Sequence, residues 1–300
     1  MAHAHGHNHG PANHDAAFGI GIGLNMIYVV AEASFGFAYG SLALVADAGH
    51  NLSDVIGLVL AWVAARLALR PPTLRRTYGL RRSSILAALA NAVLLLIAVG
   101  AIAWEATQRL QRPEPVPGTV VMVVAGIGIV INTATALMFM RGRTSDINIK
   151  GAFLHMAADA LVSAGVVVAG LLISATGRNW IDPLTSLVIV VVIAWSTWGL
   201  LRQSLDMALD AVPEGIDPVQ VRRYLEGVAG VQSVHDLHIW GMSTTEAALT
   251  AHLVAPNGLD DAALRLIGDE LHERFAIEHP TLQVERGTEG ECPLAPDHVV

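Results

Sequence analysis

Two apolar runs of this chain carry ionisable side chains: Asp47, His50 and Asp54 in one, His155 and Asp159 in the other. A charged group within a hydrocarbon-spanning helix is costly, so each is a functional candidate. His50 and Asp54 are four residues apart, as are His155 and Asp159. On a helix that spacing puts two side chains on one face, about 6 Å apart along the axis. Each run therefore offers an imidazole beside a carboxylate. Two such faces brought together supply two nitrogens and two oxygens, a set that suits tetrahedral zinc with bonds of about 2.0–2.2 Å. Two carboxylates also balance a divalent charge where water is excluded. Without the metal, protons are the natural substitute, because histidine titrates near neutrality and must be deprotonated to ligate. Metal and protons then compete for the same atoms, which is a physical basis for antiport.

Other polar residues surround this set. Asp47 stands three residues before His50; it is either a partner that orients the imidazole or a residue near the membrane surface. Asn25, Asn91 and Asn132 fall in other apolar runs, where side-chain amides commonly join helices. Glu32 joins helices in the same way, or carries a proton and lines the ion path. His3, His5, His7, His9 and His14 precede the first run. Their alternation is unlike a contiguous purification tag and reads as a weak, metal-collecting tail over residues 1–15.

The elements that must position these groups follow from composition. The chain is 53% hydrophobic and 15% charged, against about 25% charged in a soluble domain. The depletion is concentrated between residues 16 and 201. Crossing a bilayer takes roughly 20 apolar residues as a helix, and six candidate spans are present, near 16–38, 42–66, 83–107, 118–140, 152–175 and 181–201. Gly40–Ser41, Pro71–Pro72, the prolines 113, 115 and 117, Arg141–Arg143 and the stretch 177–183 separate them. Buried helices of a soluble protein would need polar faces that these runs lack. The second-to-third and fourth-to-fifth connections hold Arg66, Arg70, Arg75, Arg76, Arg81, Arg82, Arg141, Arg143 and Lys150; the opposite loops hold Arg109, Arg112 and Arg178. The richer side is expected to be cytoplasmic, with both termini on that side. The polar, histidine-rich start lacks the basic segment and cleavage site of a secretory signal. One thiol, Cys292, cannot form an internal disulfide. No basic patch with interleaved aromatics is present, so nucleic acid is not expected as a partner.

From about residue 208 the chain reads as a small α+β domain. A helix is expected over 218–227 with Asp217 as its cap, strands over 231–240 and 246–254, a helix over 260–275 and a last strand over 281–285. The expected organisation is a tail (1–15), a six-helix transmembrane domain (16–207) and a cytoplasmic domain (208–300).

The stretches SLALVADAGHNLSD (Ser41 to Asp54), TYGLRRSSILAALAN (Thr77 to Asn91), HMAAD (His155 to Asp159), VHDLHIW (Val234 to Trp240) and IEHPTLQVE (Ile277 to Glu285) resemble the cation diffusion facilitators, and the bacterial zinc-exporting type in particular. The resemblance runs from about residue 16 to 292 and implies a proton-coupled antiporter of divalent metals in the bacterial inner membrane. It implies a homodimer formed through a metallochaperone-like, ferredoxin-like cytoplasmic domain. It carries the four transport ligands onto His50, Asp54, His155 and Asp159, and a histidine at the first position resembles the zinc-preferring variant, with cadmium or cobalt as further cargo. It also implies a second metal in the cytoplasmic domain, a bound regulatory Zn2+, with His235 and His252 as ligands by position. Gln283 and Glu285 stand where some members carry histidine and aspartate; His279, Glu285 and Cys292 are the candidates to complete that site. His238 is the weakest candidate, since strand alternation sets it opposite His235.

An intramembrane metallohydrolase needs an open coordination position and a general base; the chain has no HExxH motif, and two histidine–aspartate pairs would close the shell, so no enzyme is expected. A membrane-anchored zinc sensor is the alternative, and would leave the midplane ligands dispensable.

Overall fold

The computed structural model describes residues 15–139, 147–287, 292 and 294. Six long helices come first: α1 (Asp15–Tyr39), α2 (Leu42–Ala68), α3 (Ser83–Gln111), α4 (Gly118–Phe139), α5 (Ile147–Thr176) and α6 (Ile181–Ala208). Among the described residues, α2 to α6 contain stretches long and apolar enough to cross a membrane. The sixth long helix, α1, has 25 residues, enough for a span. Several helices outrun the expected apolar runs: α3 continues to Gln111, α5 starts at Ile147 and α6 continues to Ala208. Backbone hydrogen bonding does not stop where hydrocarbon gives way to headgroups, so hydropathy alone undercounts helix length.

Between helices in lipid, close packing and polar contacts replace the hydrophobic drive. The approach of α4 to α5 depends on two glycines. A Cβ on Gly118 would stand 2.4 Å from the Gly170 carbonyl oxygen, and one on Gly170 would stand 2.8 Å from that of Gly118. The start of α2 is held by α6. Asp182 accepts a hydrogen bond from the Ser41 hydroxyl at 2.6 Å and from the Leu42 backbone N–H at 2.7 Å, so a carboxylate from another helix caps α2 at its positive end. Leu44, Val99, Val121, Val166 and Ile193 fill the interior.

The described residues form two compact units. One comprises those up to Ile56 together with Leu94–Thr197; the other comprises Gly57–Val93 together with those from Trp198 onward. The second unit contains the remaining elements: α7 (Pro218–Glu226), β1 (Ser233–Gly241), β2 (Ala247–Val254), α8 (Asp261–Phe275) and β3 (Ile277–Glu285). The sheet order is β1-β2-β3, with β1 and β2 antiparallel and β2 and β3 parallel. The parallel pair needs a crossover, which α8 supplies. Among the described residues this is the β-α-β-β-α-β order of a ferredoxin-like fold without its opening strand. Asp217 caps α7 by accepting from the Val219 N–H, and Asp260 caps α8 by accepting from the Ala263 N–H. Val221, Leu225, Leu249, Leu253, Ile267, Leu271 and Ile277 form the core between helices and sheet. β3 begins four residues before the expected 281. Pro280 lies inside it, and an edge strand tolerates a residue without an N–H. The pairing of β1 with β2 slips between His235 and His238, where Asp236 takes a left-handed conformation with φ 52°, one that aspartate admits more readily than most residues.

Candidate metal centres

In the first unit, α2 brings His50 to Asp159 of α5. Their Nε2 and Oδ1 atoms are 3.5 Å apart, and Asp159 is buried. One turn away, the Ser163 hydroxyl of α5 donates to Asp47 Oδ2 of α2 at 3.0 Å. The other two expected ligands, Asp54 and His155, belong to the same two helices; their side chains lie outside the described residues, as do the N-terminal histidines 3 to 14.

Behind this pair lies a polar network. Tyr28 on α1 donates its hydroxyl to Glu32 Oε1 at 2.6 Å, and Asn51 on α2 donates its amide to Glu32 Oε2 at 3.4 Å. Glu32 and Asp47 are both fully buried, and their carboxyl groups are within hydrogen-bonding reach of each other. Asn25 meets the sulfur of Met156 on α5 at 3.5 Å.

In the second unit, His235, His252, Glu285 and Cys292 bring one nitrogen, nitrogen, oxygen and sulfur to within 4.8 Å of one another. The register makes this possible. His235 is paired with His252 across β1 and β2, and His252 is paired with Gln283 across β2 and β3, two residues short of Glu285. Glu285 Oε2 is 3.4 Å from His235 Nε2, and Oε1 is 3.0 Å from His252 Nδ1. Cys292 Sγ is 3.7 Å from His252 Nδ1. Metal bonds of about 2.1 Å, or about 2.3 Å to sulfur, set tetrahedral ligand-to-ligand edges of roughly 3.4–3.8 Å, so these side chains already stand near the separations a metal would impose. His235 Nε2 is buried and makes no hydrogen bond to the described residues, which leaves a nitrogen to be satisfied. Burial pushes the Glu285 carboxyl upward, but hydrogen bonds from Cys292 and Gln283 and the charges of His235 and His252 outweigh it and hold the group below its ordinary value.

Asp236, which strand alternation does not single out, completes the surroundings. Its Oδ2 is 3.4 Å from His252 Nε2 and its Oδ1 is 2.9 Å from His238 Nε2. A carboxylate on the far nitrogen of a ligating imidazole fixes its tautomer and orientation. The left-handed turn at Asp236 lets one carboxylate reach both rings. His238 is thereby occupied beside the group, and the structure does not bring His279 into it. Six residues of strand, about 20 Å, separate His279 from Glu285. The His279 ring instead meets Tyr78 edge-on at 5.6 Å.

Residues 20–207 match the family described as cation efflux transmembrane domain, and residues 213–287 match the cation efflux protein, cytoplasmic domain. The chain is 37% identical over 264 residues to the cadmium, cobalt and zinc/H(+)-K(+) antiporter of Bacillus subtilis (strain 168), covering 86% of this chain and 85% of that one. It is 36% identical over 261 residues to the zinc transporter ZitB of Escherichia coli (strain K12), covering 86% and 83%. It is 36% identical over 260 residues to the metal cation efflux system protein CzcD of Cupriavidus metallidurans, covering 86% and 82%. Among solved structures, the metal-bound C-terminal domain of that CzcD transporter is similar at 34% identity, with 23% of this chain and 99% of that chain covered and a TM-score of 0.20.

Proposed function

Because this multi-pass membrane chain belongs to the cation efflux family, we propose that it exports zinc, with cadmium or cobalt as further cargo, in exchange for protons. The His50–Asp159 contact carries the reading. As α2 advances from Asp47 to His50, its partner on α5 retreats from Ser163 to Asp159. The two helices therefore run in opposite senses, and one further turn, forward on α2 and back on α5, reaches Asp54 and His155. The four candidate ligands fall on one antiparallel register, two per helix. Zinc taken from the cytoplasm displaces protons from them, and protons from the other side displace zinc after the helices rock outward. Only a difference in affinity between the two states drives this cycle, and the proton gradient supplies it.

The cytoplasmic cluster is the site of a resident divalent ion. His235, His252, Glu285 and Cys292 form a closed nitrogen, oxygen and thiolate set of the structural-zinc kind. Such an ion would tie Cys292 to the sheet. The family match over residues 213–287 supports a homodimer formed through this domain. Both termini on the cytoplasmic side are supported by the arginine-rich connection before α3: Arg81 pairs with Glu246 at 2.5 Å and Arg82 pairs with Asp210, so the basic loop and the C-terminal domain share a side.

The experiment is zinc uptake by proteoliposomes under an imposed pH gradient, wild type against His50→Ala. Uptake that needs the gradient and is lost in the variant supports the reading. Binding without flux in the wild type would favour a membrane-anchored zinc sensor.

A further inference from the structure

Glu32 on α1 and Asp47 on α2 are two fully buried carboxyl groups within hydrogen-bonding reach of each other. The donors that meet them are neutral: the Tyr28 hydroxyl, the Asn51 amide and the Ser163 hydroxyl. Asp47 Oδ1 is buried and accepts no hydrogen bond from the described residues. Among the described residues, the titratable groups around the pair are Tyr28 on α1, His50 on α2 and Asp159 on α5. Neither α1 nor α4, which packs against it, contains a lysine or arginine, and α4 has no titratable residue. Two adjacent buried carboxylates whose hydrogen-bond donors are all neutral resist both being charged. A single proton shared by Glu32 and Asp47 removes one of the two charges.

We propose that the Glu32–Asp47 pair is a proton-carrying centre of the exchange, separate from the four candidate metal ligands, with Glu32 as the group that gains and loses the proton. The proposal rests on the antiport reading above. Asp47 stands one turn from His50, so a divalent cation at His50 and Asp159 places positive charge beside the pair. The second carboxylate charge is then compensated, the O–H bond breaks and the proton passes to water on the open side. When the metal departs on the other side, a proton from that side restores the bond. Tyr28 is a positioning residue, and Gly128 on α4 admits it: a Cβ there would stand 2.2 Å from the Tyr28 hydroxyl oxygen.

The test is calorimetry of zinc binding to the purified full chain in buffers of different ionisation enthalpy, which counts protons displaced per zinc. Glu32→Gln keeps the shape and the hydrogen-bonding capacity but cannot titrate. Its zinc affinity is expected to stay within about threefold of wild type while the proton count falls by about one. An unchanged count overturns the proposal, and so does loss of zinc binding by folded protein, which would place Glu32 among the ligands. Should Glu32→Gln not fold, Tyr28→Phe replaces it. That variant keeps both carboxyls but removes a donor to the charged form, so the pH profile of proton release moves toward alkaline; an unmoved profile overturns the proposal. A wild type that binds zinc and displaces no protons brings down the antiport reading itself.

Discussion

Ser163 on α5 donates a hydrogen bond to Asp47 on α2 at 3.0 Å, one turn from where His50 meets Asp159. The contact holds together the two helices that carry the candidate ligands. Ser163→Ala removes that donor from a buried carboxyl group, at a cost of about 1–3 kcal/mol. The expected result is a lower thermal midpoint in detergent with zinc binding weakened rather than lost. An unchanged midpoint would mean that the register is set elsewhere.

His50→Ala and Asp159→Asn each remove one candidate ligand from the proposed transport site. Both are expected to lower zinc flux by at least about tenfold while the protein stays folded. Circular dichroism and gel filtration establish folding, and dye-loaded vesicles report flux. Wild-type flux in either variant would remove that residue from the site.

The α4–α5 seam separates a required glycine from a neutral one. Gly118→Leu must displace the Gly170 backbone, whereas nothing lies within 4 Å of a Cβ at Gly126. Gly118→Leu is expected to aggregate or to purify poorly, and Gly126→Ala to behave as wild type. Equal behaviour of the two in fluorescence-detected gel filtration would contradict the packing described above.

Much of this was legible because the membrane enforces it. Hydropathy and the breaks at glycine, proline and arginine place the six long helices, and the repeated histidine–aspartate spacing marks α2 and α5 before any contact is known. The Tyr28–Glu32–Asn51 network was less legible. Tyr28 reads as any aromatic in a span, and its pairing with Glu32 depends on the space left by Gly128. Asp236 was illegible for another reason: its role depends on a left-handed turn that shifts the strand register, and alternation assumes no such slip. His279 shows the converse. Its chemistry suits a metal, but strand geometry carries it to the far end of β3.

In the cytoplasmic cluster, Cys292 supplies the one sulfur. Cobalt(II) added to the full chain is expected to show thiolate charge-transfer absorption that Cys292→Ser abolishes. Absorption that survives the substitution would exclude Cys292 as a ligand, because it is the only cysteine in the chain.

Glu285 links the same cluster to acid stability. Its folded value is lowered from 4.5, so its contribution is present above pH 4.5 and lost as pH falls through the folded value. Metal-free wild type is therefore expected to lose stability more steeply than Glu285→Gln as pH drops below 4.5. Parallel acid-unfolding curves would show that the carboxylate is not held by its neighbours.

The most direct measurement is zinc entry into proteoliposomes containing a zinc dye, with and without an imposed pH gradient, comparing the intact chain with Asp54→Ala. Zinc is expected to enter only when protons can leave, and not at all in the variant. Equal entry by both proteins, or entry indifferent to the gradient, would contradict it.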